Sequence, residues 1–355
     1  MYPDRARRDR RVPCGHDGYR HGKTPVCRQL QADATGCSQM TIAWVIGSGG
    51  LLGAALCSAL RRDGTELFLP SDRLRWGSYS ELASQLEAII PEFAAHVGAS
   101  GRWEIYWAAG VGTMGSAEDV LASETRDMSL VLELLKSNMH LMTTSGAFAF
   151  ASSAGAIYAG SGDDIITENT PPKPTTAYAH EKLKQEDMVR SLAVGTSRIT
   201  VLIARISTLY GYGQAHCKQQ GLLTHIARST LRNQPIQIYV PYDTVRDYIA
   251  SDDAAASMII ALRMIGVDNR ILTKIIASED PTTIAGIISI FKKILRGRGP
   301  RIVTSTSRLS DLYPRRMQFK SIVLPECAEI PKMHLLVGIA QLVMAERTAF
   351  TRGQL

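Results

Sequence analysis

The 355-residue sequence has no apolar run approaching the eighteen or more residues of a membrane span, so no membrane partner is expected. Its basic N-terminal stretch also lacks the apolar segment of a secretory signal, and the expected compartment is the cytoplasm. Metal-ligand spacing is missing too. Three of the six cysteines, Cys14, Cys27 and Cys37, lie near His16 and His21, but there is no Cys-x-x-Cys pair and no His-x-x-x-His pair, so no metal is expected. Concentrated positive charge is absent from most of the chain. Of the formal +7, residues 1–39 contribute +4 (eight Lys/Arg against four Asp/Glu), which leaves +3 for everything after them. A body so nearly balanced lacks the basic face that a phosphate backbone requires, and no nucleic-acid partner is expected.

What is present is a 45% hydrophobic, 21% charged chain, enough to bury one large core or two modest ones. Residues 1–39 show no apolar periodicity and end at Met40, immediately before the first strand-like run. Either they form a disordered basic tail or Met40 is the true start. From Thr41 the pattern alternates. Strands are expected at Thr41–Ile46, Glu66–Leu69, Trp103–Ala108, Ala147–Ala151 and Ile199–Ile203, with helices at Leu51–Arg62, Tyr79–His96, Ala117–Ser137 and Tyr178–Leu192. Strands separated by helices imply right-handed crossovers and an α/β fold with a doubly wound, mostly parallel sheet. After about Gly211, prolines punctuate shorter elements, and a smaller C-terminal domain is expected over 216–355. Within it, some segments (about 240–277) return to the first domain, 40–215. The apolar spacing of Leu335, Leu336, Ile339, Leu342 and Val343 predicts a helix packed on its own domain.

Two motifs carry chemistry. Gly47-Ser48-Gly49-Gly50-Leu51-Leu52-Gly53 falls between a predicted strand and a predicted helix, where glycines let the backbone turn and approach a pyrophosphate at the helix N-terminus. After the second strand, Ser71, Asp72 and Arg73 offer both a carboxylate for a ribose hydroxyl and a cation for a 2′-phosphate, so the dinucleotide is NAD or NADP. Tyr178 and Lys182 lie four apart in a helix, on one face. A nearby ammonium and a positive nicotinamide ring would favour the phenolate, so that Tyr178 takes an alcohol proton as hydride leaves the same carbon. Ser153, at the end of a central strand, is placed to hydrogen-bond the substrate oxygen or to cap local backbone.

In order along the chain stand Gly47-x-x-Gly50-x-x-Gly53, Trp107-Ala108-Ala109-Gly110, Ser152-Ser153-Ala-Gly-Ala-Ile-Tyr158, Tyr178-x-x-x-Lys182, Arg205-Ile-Ser-Thr-Leu-Tyr210-Gly-Tyr-Gly213-Gln214 and Val245-Arg246-Asp247-Tyr248-Ile249. From Met40 onward the chain thereby resembles the extended short-chain dehydrogenase/reductases, the branch of nucleotide-sugar epimerases and dehydratases. The resemblance implies a Rossmann fold with a smaller substrate domain, cofactor contacts from the glycine loop and from Ala108, Ala109 and Gly110, and Tyr178 and Lys182 as catalytic residues. It further implies that Arg246 contacts the diphosphate of a nucleotide-sugar substrate, and that the protein is a homodimer. Counting back from Tyr158 places the assisting hydroxyl on Ala154, and counting back from Tyr178 places it on Ser153. Thr208 stands where the family has Asn and Tyr212 where it has Pro. Ala154 and Gly155 replace the Asp-Glu pair of the dehydratases, which favours epimerisation or reduction over dehydration.

Overall fold

The computed structural model describes residues 40–99, 101–212, 221–266, 270–296, 301–304 and 314–352. The tail 1–39, Gly213-Gln214 of the fifth motif, His216 and Cys217 lie outside the described residues. The first half alternates β1 (Thr41–Ile46), α1 (Leu51–Arg62), β2 (Glu66–Phe68), α2 (Tyr79–Val97), β3 (Arg102–Trp107), α3 (Glu118–Ser137), a short α4 (Met139–Thr143) and β4 (Ser145–Ser153). A single turn, α5 (Ala154–Ile157), then α6 (Ala177–Arg190) and β5 (Ile199–Ile206) follow. The remainder holds β6 (Thr208–Tyr210), α7 (Leu222–Leu231), β7 (Ile236–Ile238), β8 (Val245–Arg246), β9 (Tyr248–Ala250), α8 (Ser251–Met264), β10 (Ile271–Ile276), β11 (Thr282–Thr283), α9 (Ile284–Ile294), β12 (Ile302–Thr304) and α10 (Leu335–Thr351).

Six strands form one parallel sheet in the order β10-β5-β4-β3-β1-β2. Order reverses between β1 and β3, and that reversal is where an open α/β sheet leaves a crevice at its carboxyl edge. On the β1 side two strands stand where a fully doubled Rossmann sheet has three. Between β2 and α2 the chain instead makes a loop, 69–78. Gln85 of α2 ties that loop by accepting from the Arg75 amide (2.9 Å) and donating to the Arg73 carbonyl (3.2 Å). The buried Asp127 carboxylate of α3 lies beside the Gly77 amide, which opposes the rise that burial imposes on it. Trp76 sets its ring edge against Trp107, 5.9 Å between centroids.

Alternation along the strands builds a core on each face of the sheet. Ile42, Trp44 and Ile46 of β1 join Phe148 and Phe150 of β4 beneath α2, α3 and α6, where Trp44, Phe68 and Phe93 meet at centroid distances of 5.2–5.7 Å. On the other face Ala43, Val45, Ala147 and Ala149 leave room for α1 and α8 to lie close. A third cluster, away from the sheet, gathers α7, α9 and α10 around Phe291. Of the expected apolar stripe, Leu335, Ile339, Leu342 and Val343 are buried there, while Leu336 is half-buried and outside the cluster. Arg228 and Glu346 close that cluster with a two-point ion pair at 2.8 and 3.1 Å.

The expected elements match the observed ones to within two residues, with one informative exception. Strand β5 runs three residues further than its apolar run indicates, to Ile206, because it stays paired with β4 to the end (Ile206 opposite Ser153).

Candidate active site

Register aligns three chain exits at the carboxyl edge of the sheet. Ile46 pairs with Trp107 and Trp107 with Phe150, so Gly47, Ala108 and Ala151–Ser153 leave side by side. The Ala108 amide donates to the Ile46 carbonyl at 2.8 Å, joining the first two exits. Gly47 has φ +92°, and a Cβ there would stand 2.5 Å from the Ala109 nitrogen. At Gly53 a Cβ would meet the Gly47 carbonyl oxygen at 2.1 Å. Both positions therefore demand glycine on geometric grounds. Gly49 faces open space, and Ser48, Gly49 and Gly50 are exposed. Helix α1 starts at Leu51 with Gly50 as its cap and no side chain closing its N-terminus, while Leu52 is buried against the sheet. Exposed backbone at an uncapped helix N-terminus, with close backbone on both sides, fits a pyrophosphate.

Helix α6 is started by Thr176, whose hydroxyl accepts from the Ala179 amide (3.2 Å). Its inward stripe is unusual in being polar: Lys182, Gln185 and Glu186 are buried beside Ala179 and Val189. Tyr178, half-buried one turn earlier, lies beside the Ser153 hydroxyl at the end of β4, which favours its phenolate against the effect of burial. Ser153 also caps α5, accepting from the Ala156 amide at 3.4 Å, whereas Ala154 is wholly buried in a different cluster. Of the two positions that the sequence leaves open for the hydroxyl, Ser153 is the one beside Tyr178.

Lys182 lies with its ammonium 4.9 Å from the Phe150 ring centre and 5.8 Å from that of Tyr178. It donates to Gln185 Oε1 (3.1 Å); Gln185 Nε2 donates to Thr125 Oγ1 (3.0 Å), and Thr125 donates to Glu181 (2.7 Å). Burial pushes the Lys182 amine down to about 8, with the carboxylates of Glu124 and Glu186 opposing the fall. Burial pushes the Tyr178 phenol up to about 12; Glu124 adds to the rise and the Ser153 hydrogen bond opposes it. The phenolate expected from the sequence draws on the ammonium together with a positive nicotinamide ring; in the chain by itself, loss of solvent outweighs the help of the Ser153 hydroxyl.

Beneath the pair lies a buried network. Glu186 accepts from Ser152 Oγ (2.7 Å), Arg205 Nε (2.9 Å) and Arg205 Nη2 (2.7 Å), and Arg205 Nη1 donates to the Tyr158 hydroxyl (2.6 Å). The sequence marks Arg205 and Tyr158 as parts of motifs but not as partners of one another. Ser71, Asp72 and Arg73 are exposed on the loop after β2. Arg246 lies on β8, half-buried, and donates to the Val245 carbonyl at 2.7 Å. Its neighbour Asp247 is fully buried and accepts from Ser207, Ser278 and the Glu279 amide. Among the described residues no cluster of His, Cys, Asp and Glu is arranged to hold a metal ion, and no helix is long and apolar enough to cross a membrane.

A parallel sheet with a glycine-bound crevice, and a Tyr/Lys pair beside a strand-end serine, define a dinucleotide-fold protein of the epimerase/dehydratase type. The sequence profile of the NAD dependent epimerase/dehydratase family matches residues 43–272, and the chain belongs to that family. Over 96 residues it is 28% identical to the dTDP-L-rhamnose 4-epimerase of Burkholderia thailandensis, a stretch that covers 27% of this chain and 26% of that enzyme. Among solved structures it resembles UDP-glucose 4-epimerase of Thermotoga maritima with UDP-glucose (TM-score 0.72, 20% identity, covering 88% of this chain and 100% of that one). RMD of Pseudomonas aeruginosa with NADPH is similar (TM-score 0.71, 18% identity, 86% and 99% covered). So is UDP-glucose 4-epimerase of Thermus thermophilus with NAD (TM-score 0.71, 19% identity, 87% and 100% covered). At these identities the likeness is one of fold.

Proposed function

We propose that the protein is a nicotinamide-dinucleotide-dependent epimerase or reductase of a nucleotide sugar, acting in the cytoplasm. The observation that carries this reading is the Tyr178–Ser153 hydroxyl pair at the carboxyl edge of the sheet, with Lys182 one helical turn on. The glycine turn Gly47–Gly53 and Ala108–Gly110 would hold the dinucleotide, NAD or NADP, and Ser71, Asp72 and Arg73 would meet its ribose. When bound, the nicotinamide supplies hydride acceptance and return. Ser153 hydrogen-bonds the sugar oxygen, Tyr178 moves the proton at that oxygen, and Lys182 supplies the positive charge that offsets the burial of the phenol. Arg246 is assigned to the substrate diphosphate, for which a guanidinium offers paired donors. Support for a sugar-nucleotide substrate comes from the family and from the named ligands of its structural neighbours.

The test is turnover of a panel of UDP- and dTDP-sugars, together with mass spectrometry of ligands that co-purify. An epimerase interconverts two sugars without net dinucleotide consumption, and a reductase consumes added NADPH or NADH in proportion to product. Tyr178→Phe should lower either rate by roughly 10²- to 10⁴-fold while retaining bound dinucleotide. Full activity in Tyr178→Phe, or failure of the wild-type protein to bind either dinucleotide, overturns the assignment.

A further inference from the structure

The loop that follows β3 is built around a carboxylate that neither the family motifs nor the Tyr/Lys pair accounts for. Glu124, half-buried on α3, accepts the Val111 and Gly112 amides on one oxygen at 2.6 and 2.7 Å. Its other oxygen lies close to the same backbone: a Cβ at Gly112 would stand 2.6 Å from Leu121 Cδ2 and 3.1 Å from Glu124 Oε2. Gly110 also has φ +146°, so the backbone there takes a conformation that favours glycine. The adjacent residue, Thr125, closes the hydrogen-bond chain that ends on Lys182. One turn of α3 thus grips the loop on one side and the lysine on the other.

We propose that Glu124 is a positioning residue for the acid/base pair: its carboxylate fixes residues 110–112 against α3 and holds a negative charge beside Tyr178 and Lys182. This rests on the proposed role of that pair and adds to it the means by which its charge balance is set. The groups facing Lys182 are Glu124 from α3, Tyr178, Gln185 and Glu186 from its own helix, and the Phe150 ring from β4. Those facing Tyr178 are Glu124, Ser153 from β4 and the Lys182 ammonium. Among them, Glu124 is the charge shared by both members of the pair, and it acts on both in one direction. It favours the protonated amine and the protonated phenol, which keeps the pair in its proton-loaded form near neutral pH.

Glu124→Gln separates the two duties, because the amide oxygen still accepts from Val111 and Gly112 while the charge is gone. The readout is the lysine side-chain carbon NMR titration, with the Lys182 signal assigned by its loss in Lys182→Met, on protein without added ligand. The Lys182 midpoint is expected to fall by roughly half a pH unit to one unit in Glu124→Gln, with dinucleotide affinity by fluorescence titration kept within about threefold of wild type. Glu124→Ala should show the same fall and should also weaken NAD or NADP binding by more than tenfold, as the loop loses its anchor. An unchanged Lys182 midpoint in Glu124→Gln overturns the proposal, and so does equal loss of dinucleotide affinity in both variants. A wild-type protein that binds no dinucleotide would defeat the functional assignment alone, since the lysine titration needs none.

Discussion

Replacing Glu186 by Met tests whether the site rests on its buried polar network. The substitution keeps the volume but leaves the Arg205 guanidinium, 5% exposed, with only the Tyr158 hydroxyl, and leaves the buried Ser152 hydroxyl without its acceptor. Removing one partner of a buried ion pair costs about 3–5 kcal/mol, because the remaining charge has neither water nor counter-ion. Against a total stability of about 5–15 kcal/mol, that is a large share. Replacing both partners, Glu186→Met with Arg205→Met, removes the stranded charge and should restore all but about 1–2 kcal/mol. Urea unfolding followed by far-ultraviolet circular dichroism gives the free energies of the wild type, both single variants and the double. A single-variant loss below about 1 kcal/mol, or a double-variant loss equal to the sum of the singles, would refute the view that the pair is a mutually dependent buried unit.

Two further outcomes follow from the same geometry. Gly53→Ala drives a Cβ to 2.1 Å from the Gly47 carbonyl oxygen, so β1 and α1 must separate. Dinucleotide affinity measured by fluorescence titration should drop at least tenfold and the thermal midpoint should fall, and retention of both would show that the turn tolerates spreading. Lys182 is held near 8 in the folded chain and returns to its ordinary value near 10.5 on unfolding, so between those values the unfolded state binds more protons and stability rises with pH. The cost of burying the ammonium is present in full below about 8 and is relieved as pH climbs through that window. Lys182→Met should therefore exceed the wild type in stability most at neutral pH and progressively less toward pH 10. A gap that stays constant across that range contradicts the assignment of a depressed amine.

The alternation of strands and helices was legible because each buried strand is a short apolar run and each helix carries its stripe at helical spacing. The glycine turn was legible for a related reason, since its glycines answer to backbone collisions that any chain of this topology meets. Helix α6 shows what periodicity leaves out. Lys182, Gln185 and Glu186 are buried on it: Lys182 donates to Gln185 of the same helix, while Gln185 and Glu186 meet Thr125 and Arg205, distant in sequence. Nothing in local periodicity distinguishes a polar stripe that faces water from one that faces Arg205 and Thr125. Glu124 escaped notice for the same reason, as one acidic residue among several at the start of α3, recognisable only once Val111 and Gly112 are seen to point at it. That Ser153 and not Ala154 lies beside Tyr178 depends on how the end of β4 meets the first turn of α6, a property of two elements distant in sequence.

The sheet's margin at β2 shapes how this scaffold can change. Three residues of strand end there, and a tethered stretch of ten residues, 69–78, continues in place of further pleated backbone. Insertions, deletions and charge swaps in such a stretch disturb no inter-strand ladder, because Gln85, which holds it by two hydrogen bonds, belongs to a helix, and Trp76 meets β3 only through the Trp107 ring. The outermost part of the crevice can thus be rewritten by substitution in a surface segment while the other five strands, with Ser153 at the end of β4, stay as they are.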